Sequence, residues 1–333
     1  METLLEIDGL RVQFPGSPGP VRAVDGLTLS IRRGETYALV GESGCGKSAT
    51  ALAIIRLVEP GRIVGGRIRF EGRELLDLPE REMRHVRGAR IGFVFQEVSA
   101  ALNPVLRIGD QVAEAVRAHR SVTRADARAE AVRLLGLVAL PDPASQARAY
   151  AHELSGGMKQ RAMLAIALAC SPALLIADEP TTALDVTIQA QILDLLRRLR
   201  RELGLTVLLI THDLGVVAEN ADRVGIMYAG RLVEEAPVED LFREPLHPYA
   251  RGLMRSLPAA AAEEARERGD RRLRVLAGTV PDPQHPPPGC RFHPRCPDRF
   301  EPCDRQEPAD TPMGPGRRVA CFLHARPVGP GPA

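Results

Sequence analysis

The sequence predicts an α/β fold built on a parallel sheet, and three stretches carry this prediction. Ala173–Ala177 and Thr206–Ile210 are short and almost wholly apolar, which is the pattern of strands buried on both faces. Thr36–Val40 is a third such strand, and it leads through a glycine-rich loop into a predicted helix, Ala49–Leu57. Strands that alternate with helices are typical of α/β domains.

The glycine-rich loop fits the phosphate-binding pattern G-x-x-x-x-G-K-[ST]. Its junction between a strand and a helix offers unpaired N–H groups and the positive end of a helix dipole to an anion. Lys47 is expected to neutralise the β- and γ-phosphates, and the Ser48 hydroxyl is expected to bind magnesium. Of the 44 basic residues only Lys47 and Lys159 are lysines, so a compact point charge was needed here. The loop comprises Gly41, Glu42, Ser43, Gly44, Cys45, Gly46, Lys47 and Ser48.

Composition excludes several classes of protein. Basic and acidic residues nearly balance, at 44 and 42, and only 4% of residues are aromatic, so we expect no nucleic-acid partner. No run approaches the ~18 apolar residues that a membrane-spanning helix needs, and the N-terminus does not resemble a secretion signal. We therefore expect a cytosolic chain that reaches a membrane only through a partner.

The N-terminal third contains further predicted strands. Leu4–Phe14 and Val24–Ile31 alternate apolar and polar residues, and Ile63–Phe70 forms another hairpin piece. The Phe14 ring either stacks on a nucleobase or packs inward. Ile91–Phe95 is a short apolar strand that ends at Gln96, whose amide can reach a nucleotide at that strand end.

The pattern becomes helical between this strand and the central apolar run. Thr123–Gly136, for example, has a capping threonine and a glycine stop. The helical insertion ends in a loop with Ser155, Gly156 and Gly157 before an apolar helix, Ala162–Ala169. This loop is a second anion cradle, and a single nucleotide does not need two.

Three polar side chains follow the central apolar strands. Asp178 and Glu179 come after the first strand, and adjacent residues of a strand point to opposite faces. We therefore expect Asp178 to reach magnesium and Glu179 to act on a water beside the γ-phosphate. His212 follows the neighbouring strand, at the edge where that phosphate would lie.

Together these motifs resemble the ATP-binding cassette family over roughly residues 4–235. The resemblance places the Walker A loop at Gly41–Ser48, the Q-loop at Gln96, the signature at Leu154–Gln160, the end of Walker B at Asp178, the catalytic carboxylate at Glu179, the D-loop at Asp185 and the switch at His212. It implies a P-loop NTPase with an antiparallel β subdomain and a helical subdomain at about 97–165, all within residues 1–240. Ala49 departs from the pattern, because many relatives carry a second hydroxyl there.

The resemblance also implies a composite ATP site. In this family two cassettes pair head to tail and enclose two ATP molecules, so Ser155, Gly156 and Gly157 would touch the γ-phosphate held by the partner. Gln96, Ser48 and Asp178 would hold Mg²⁺, with Glu179, His212 and Gln96 at the catalytic centre. The other expected ATP contacts are Phe14, Ala49, Asp185 and the Walker A residues.

Residues 241–333 form a predicted C-terminal extension. Pro245–Leu253 resembles the His-Pro-Tyr segment of ATPases that serve dipeptide and oligopeptide permeases. This resemblance implies an importer ATPase at the cytoplasmic face of the cell membrane. Its partners would be two transmembrane permease subunits, an extracytoplasmic peptide-binding protein and a second ATPase, identical or homologous. Import of nickel or antimicrobial peptides stays open, because other subunits choose the substrate.

Two other classes of function are open at this point. A soluble ATP-binding cassette protein could act on ribosomes or DNA, although such relatives carry two cassettes or long coiled coils and this chain has neither. A metal-dependent regulator would use ATP only secondarily, and its main site would be the cysteine-rich tail.

The tail gathers four of the six cysteines and half of the 28 prolines, so we expect neither regular helices nor a sizeable core there. Cys290, Cys296, Cys303 and Cys321 lack paired C-x-x-C knuckles, and four sulfur ligands suit a [4Fe–4S] cluster. Peptide-permease ATPases with this tail are similar in carrying such a cluster. Zinc, with His293 or His324 replacing a cysteine, and free thiols are the alternatives. The preceding segment, 259–274, is predicted to be a solvated helix or linker.

Overall fold

The structure is a computed structural model that describes residues 2–182, 184–257, 276 and 278–325. The predicted linker at 259–274 lies outside these residues. Across the described ranges, we find no helix with both the length and the apolar character that a bilayer span requires.

The elements alternate between strands and helices along the first two thirds of the chain. In order they are β1 (Thr3–Phe14), β2 (Val21–Arg32), β3 (Thr36–Val40), α1 (Lys47–Ile54), β4 (Arg62–Phe70), β5 (Arg73–Glu74), α2 (Glu80–Ala89), β6 (Ile91–Val94), α3 (Val98–Ala101), α4 (Ile108–His119), α5 (Arg124–Leu137), α6 (Pro143–Gln146), α7 (Gly156–Ala167), β7 (Leu174–Asp178), α8 (Val186–Leu203), β8 (Thr206–Thr211), α9 (Leu214–Asn220), β9 (Arg223–Tyr228), β10 (Arg231–Pro237), α10 (Val238–Arg243), α11 (Pro248–Arg255), β11 (Asp310–Gly314) and β12 (Arg317–Ala320).

The main sheet has the strand order β11-β12-β10-β9-β3-β8-β7-β6 among the described residues. Strands β6, β7, β8, β3 and β9 are parallel, with Val40 beside Thr211 and Asp178 beside Ile210. The carboxyl ends of four of these strands therefore meet at one edge and deliver the phosphate loop, Gln96, Glu179 and His212 there. The predicted α/β class is confirmed.

Both faces of this sheet are covered, which explains its apolar strands. On β7, Leu174 and Ile176 pack with α1 and the antiparallel sheet. Leu175 and Ala177 pack on the opposite side with α7 and α8. Every residue of β3, β7 and β8 is buried, because each face of the strand meets a different part of the core.

The predicted antiparallel β sheet and helical insertion are both present. Strands β2-β1-β4-β5 form an antiparallel sheet, and α3 to α7 form the helical insertion. Thr123 caps α5 as predicted, because its hydroxyl accepts a hydrogen bond from the N–H of Asp126 at 3.1 Å.

The tail is attached to the main sheet, which its proline content did not suggest. Strand β12 pairs antiparallel with β10, where Val319 lies opposite Glu234, and β11 pairs with β12. The ring of Phe292 is 1% exposed and lies 5.2 Å from Tyr228 and 5.4 Å from Tyr249 between ring centroids. The tail thus adds strands to the sheet edge and an aromatic side chain to the core of the main domain.

Candidate nucleotide-binding and catalytic site

The phosphate loop is closed by its own lysine. Lys47 is 5% exposed, and its Nζ donates to the carbonyls of Gly41 at 2.7 Å and Glu42 at 3.1 Å. Gly46 has φ +105°, and a Cβ there would lie 2.1 Å from the Ala23 carbonyl oxygen. Only glycine fits that position, because β2 passes close to the loop there.

Ser48 and Asp178 meet next to the loop. The Ser48 hydroxyl donates to Asp178 Oδ1 at 3.1 Å, and Asp178 is 5% exposed. Burial raises the pKa of Asp178, and the neighbouring Glu179 charge adds to the rise, while the Ser48 hydrogen bond and Lys47 oppose it. A divalent cation between these two oxygen ligands would favour the ionised carboxylate, so the pair fits a magnesium site.

Glu179 is surrounded by the polar groups expected around a catalytic carboxylate. Its Oε2 accepts from Gln96 Nε2 at 3.3 Å and from the Thr182 hydroxyl at 2.7 Å, and its Oε1 lies 3.3 Å from His212 Nδ1. Its backbone has φ +46°, a strained conformation for a residue other than glycine. Glu179 therefore lies past the end of β7, and the strand alternation that we expected does not set its direction.

The second loop lies beside the D-loop. Ser155 caps α7 by accepting from the Met158 N–H, and Asp185 caps α8 by accepting from the Ile188 N–H at 3.0 Å. A Cβ at Gly157 would lie 2.7 Å from Ile188 Cγ2. Between described residues, no hydrogen bond joins this second loop to the phosphate loop. One chain thus keeps its two anion cradles separate.

The remaining predicted ligands surround the loop. Ser43 and Gly44 are exposed, Ala49 is half-buried in α1, and Cys45 is buried, with its pKa raised by that burial. Phe14 packs its ring edge against Gly61 and is partly buried beside the core. This position fits the inward packing weighed for Phe14 and leaves stacking on adenine a prediction.

Three contacts of the site were missed by sequence reasoning. Thr182 bonds Glu179, while Tyr249 and Arg295 bond Glu42 inside the phosphate loop. Arg295 lies 253 positions from Glu42, so no local pattern joins them. Only the position of Thr182, three residues after Glu179, could have suggested its role.

The four tail cysteines lie near one another. The Cys290 N–H donates to the Cys303 carbonyl at 2.8 Å. Burial raises the pKa of Cys296 and of Cys321 to about 11, and the charges of the other cysteines add to both rises. Across the part of the chain that the structure describes, no three His, Cys, Asp or Glu side chains are arranged to hold a metal ion.

Comparisons with known proteins match both parts of the chain. The ABC transporter family profile matches residues 24–182, and that of the oligopeptide/dipeptide transporter C-terminal region matches residues 233–303. The oligopeptide transport ATP-binding protein AppD of Bacillus subtilis is 48% identical over 326 residues, 97% of this chain and 98% of AppD. OppD of Salmonella typhimurium, of the same description, is 46% identical over 319 residues, 96% of this chain and 93% of OppD.

A solved structure matches the cassette. The ATP-binding cassette MJ0796, a dimer in a post-hydrolysis state bound to ADP and Pi, matches with a TM-score of 0.64 at 28% identity. The match covers 71% of this chain and 99% of MJ0796.

Proposed function

Since this chain belongs to the ABC transporter family of ATPases, we propose that it hydrolyses ATP to power the import of dipeptides or oligopeptides through a membrane permease. The observation that carries this proposal is the grouping of Glu179, Gln96, Thr182 and His212 beside the Ser48–Asp178 pair. The peptide substrate class is supported by the match of residues 233–303 to peptide-transporter C-terminal regions.

Each side chain has a role that follows from its position. Lys47 would exchange the Gly41 and Glu42 carbonyls for phosphate oxygens, which offer a stronger, charge-assisted hydrogen bond. Mg²⁺, held by Ser48, Asp178 and Gln96, would supply positive charge to the β- and γ-phosphates. These interactions position ATP at the edge of the sheet where Glu179 lies.

Glu179 would orient a water molecule and accept its proton. Thr182 and Gln96 both donate to Oε2, so this oxygen is held in place while Oε1 faces His212. His212 is exposed, with 61% of its side chain accessible to solvent. It would contact the γ-phosphate. Gln96 would link the bound nucleotide to Glu179, because its Nε2 donates to Glu179 Oε2.

A second ATPase subunit would complete the site. Ser155, Gly156 and Gly157 form an anion cradle that has no hydrogen bond, between described residues, to the phosphate loop of the same chain, which supports a head-to-tail pair with an identical or homologous subunit. The other proposed partners are two transmembrane permease subunits and an extracytoplasmic peptide-binding protein. The chain would then lie peripherally on the cytoplasmic face of the cell membrane.

The four tail cysteines would hold a [4Fe–4S] cluster. Four sulfur ligands without paired C-x-x-C knuckles suit such a cluster, and this ligand set supports the proposal. Bound there, it would supply a structural link among Cys290, Cys296, Cys303 and Cys321.

The test is to isolate the protein from membranes of cells that express it and to analyse the intact complex by mass spectrometry. We expect two ATPase subunits, two transmembrane subunits and ATP hydrolysis that rises when peptide-loaded binding protein is added. Protein that stays with ribosomes in a washed lysate, and never with membranes, would contradict the proposal.

A further inference from the structure

The phosphate loop is fastened to the tail, residues 278–325, at Glu42. The guanidinium of Arg295 donates to both Glu42 carboxylate oxygens, from Nη1 at 2.8 Å and from Nη2 at 3.0 Å. The backbone N–H of Glu42 donates to the Tyr249 hydroxyl at 3.0 Å. Residues outside the nucleotide motifs therefore hold both the side chain and the backbone of one loop residue.

This ion pair differs from the surface pairs of the protein. The Arg295 side chain is 6% exposed and that of Glu42 is 26% exposed. Arg295 also donates to the Tyr228 hydroxyl at 3.3 Å, and its guanidinium lies 5.7 Å from the Tyr228 ring centroid and 5.9 Å from that of Phe292. A bidentate pair enclosed by aromatic rings has one geometry, whereas an exposed pair samples many and contributes little.

Glu42 connects this contact to Lys47, the lysine proposed to bind the phosphates. Its carbonyl oxygen accepts from Lys47 Nζ at 3.1 Å. The Glu42 side chain, N–H and C=O thus bond to Arg295, Tyr249 and Lys47 respectively. A loop held at all three groups is ordered before the nucleotide arrives, so less conformational entropy is lost on binding.

We propose that Arg295 is a positioning residue for ATP, which acts through Glu42, and that the tail thereby sets the nucleotide affinity of the phosphate loop. The inference rests on the proposed function in taking ATP as the ligand. If loss of this contact leaves about one loop conformation in ten competent, the Kd for ATP rises about tenfold. Turnover at saturating ATP should change little, because Arg295 contacts neither Glu179 nor His212.

The experiment measures the Kd for ATP of the full chain by calorimetry, and KM and kcat of the assembled complex. Arg295→Ala should raise Kd and KM about tenfold with kcat within about twofold of wild type. Arg295→Lys keeps the positive charge but cannot make the bidentate contact, so its Kd and KM should lie between those of wild type and Arg295→Ala. An unchanged Kd in Arg295→Ala, or a loss confined to kcat, would overturn the proposal.

A matched variant separates this role from general docking of the tail. Arg318 also joins the tail to the main domain, through Glu235 at 2.5 Å and the Thr28 carbonyl at 2.6 Å, and both partners lie away from the loop. Arg318→Ala should leave the Kd for ATP within about twofold of wild type. An equal rise in Arg318→Ala and Arg295→Ala would show that tail docking alone matters, and would refute a specific role for Arg295.

A second approach comes from the loop itself. Glu42→Gln should also raise the Kd for ATP. The double variant Arg295→Ala/Glu42→Gln should have a Kd no higher than that of the weaker-binding single variant, because both substitutions remove the same contact. Additive effects would contradict a shared contact. If wild type binds no ATP under conditions in which it is folded, the proposed function fails as well; if wild type binds ATP and Lys47→Ala does not, only the tail contact is under test.

Discussion

Glu179→Gln tests the catalytic assignment with little disturbance to the site. The glutamine carbonyl can take the place of Oε2 and accept from Thr182 and Gln96, while its NH₂ group faces His212 Nδ1 as a donor. The three contacts persist and only the base is lost. General-base catalysis contributes about 10²–10⁴-fold, so turnover should fall by that factor, or about 3–5 kcal/mol in activation free energy.

The assay is ATP turnover by the assembled complex, together with the Kd for ATP. Affinity should stay within about twofold of wild type, because Glu179 bonds neither Lys47 nor Ser48. Glu239→Gln, which removes an exposed carboxylate on α10, serves as the matched control and should keep wild-type turnover. Turnover of Glu179→Gln within a fewfold of wild type would refute the assignment.

Three further predictions concern the second loop, the cysteines and His247. Gly156→Asp should lower turnover of the complex at least about tenfold through repulsion of the γ-phosphate held by the partner, with chain ATP affinity unchanged; unaltered turnover would exclude a composite site. Gly156→Asp is a better test than Gly157→Asp, because it disturbs the packing less. A Cβ at Gly156 meets only Leu184 Cδ2, at 3.3 Å, whereas a Cβ at Gly157 would lie 2.7 Å from Ile188 Cγ2. Anaerobically purified wild type should be brown, with iron and acid-labile sulfide, and Cys303→Ser should lose both; stoichiometric zinc without iron would contradict the cluster. Burial lowers the pKa of His247 to about 3, so its neutral form contributes stability fully above about pH 6.5, and this contribution is lost as pH falls toward 3. Measured by urea unfolding, the free energy of unfolding should fall by about 2 kcal/mol between pH 7 and pH 5. His247→Asn keeps a capping oxygen for the Tyr249 N–H and should remove this pH dependence. An equal pH dependence in both proteins would rule out His247 as its source.

The parts of the fold that sequence predicts well are those fixed by local patterns. Thr36–Val40 was predicted with the bounds that the structure has, and the helix predicted at Thr123–Gly136 is observed at Arg124–Leu137. In both elements the buried positions form a pattern within the element's own sequence, a continuous apolar run in the strand and a helical stripe in the helix. The grouping of Gln96, Asp178, Glu179 and His212 followed from the rule that parallel strands deliver their carboxyl ends to one edge.

The parts that sequence did not predict depend on partners far along the chain. Val319 pairs with Glu234 on β10, and Arg295 reaches Glu42, across separations that no periodicity records. Phe292 stands among prolines and charged residues, so its local context favours exposure. Its burial comes from Tyr228 and Tyr249, which belong to other elements. The prediction that Glu179 continues the alternation of the strand was wrong, because its backbone has a positive φ that the composition does not indicate.

Peptide accumulation in proteoliposomes tests the central claim most directly. The complex of this chain with its permease subunits would be reconstituted with ATP on the side of the ATPase and with a labelled dipeptide and the binding protein on the other side. We predict ATP-dependent accumulation of the dipeptide with wild type and none with Glu179→Gln. Accumulation of nickel in place of any peptide, or dipeptide uptake that persists in Glu179→Gln, would contradict the account.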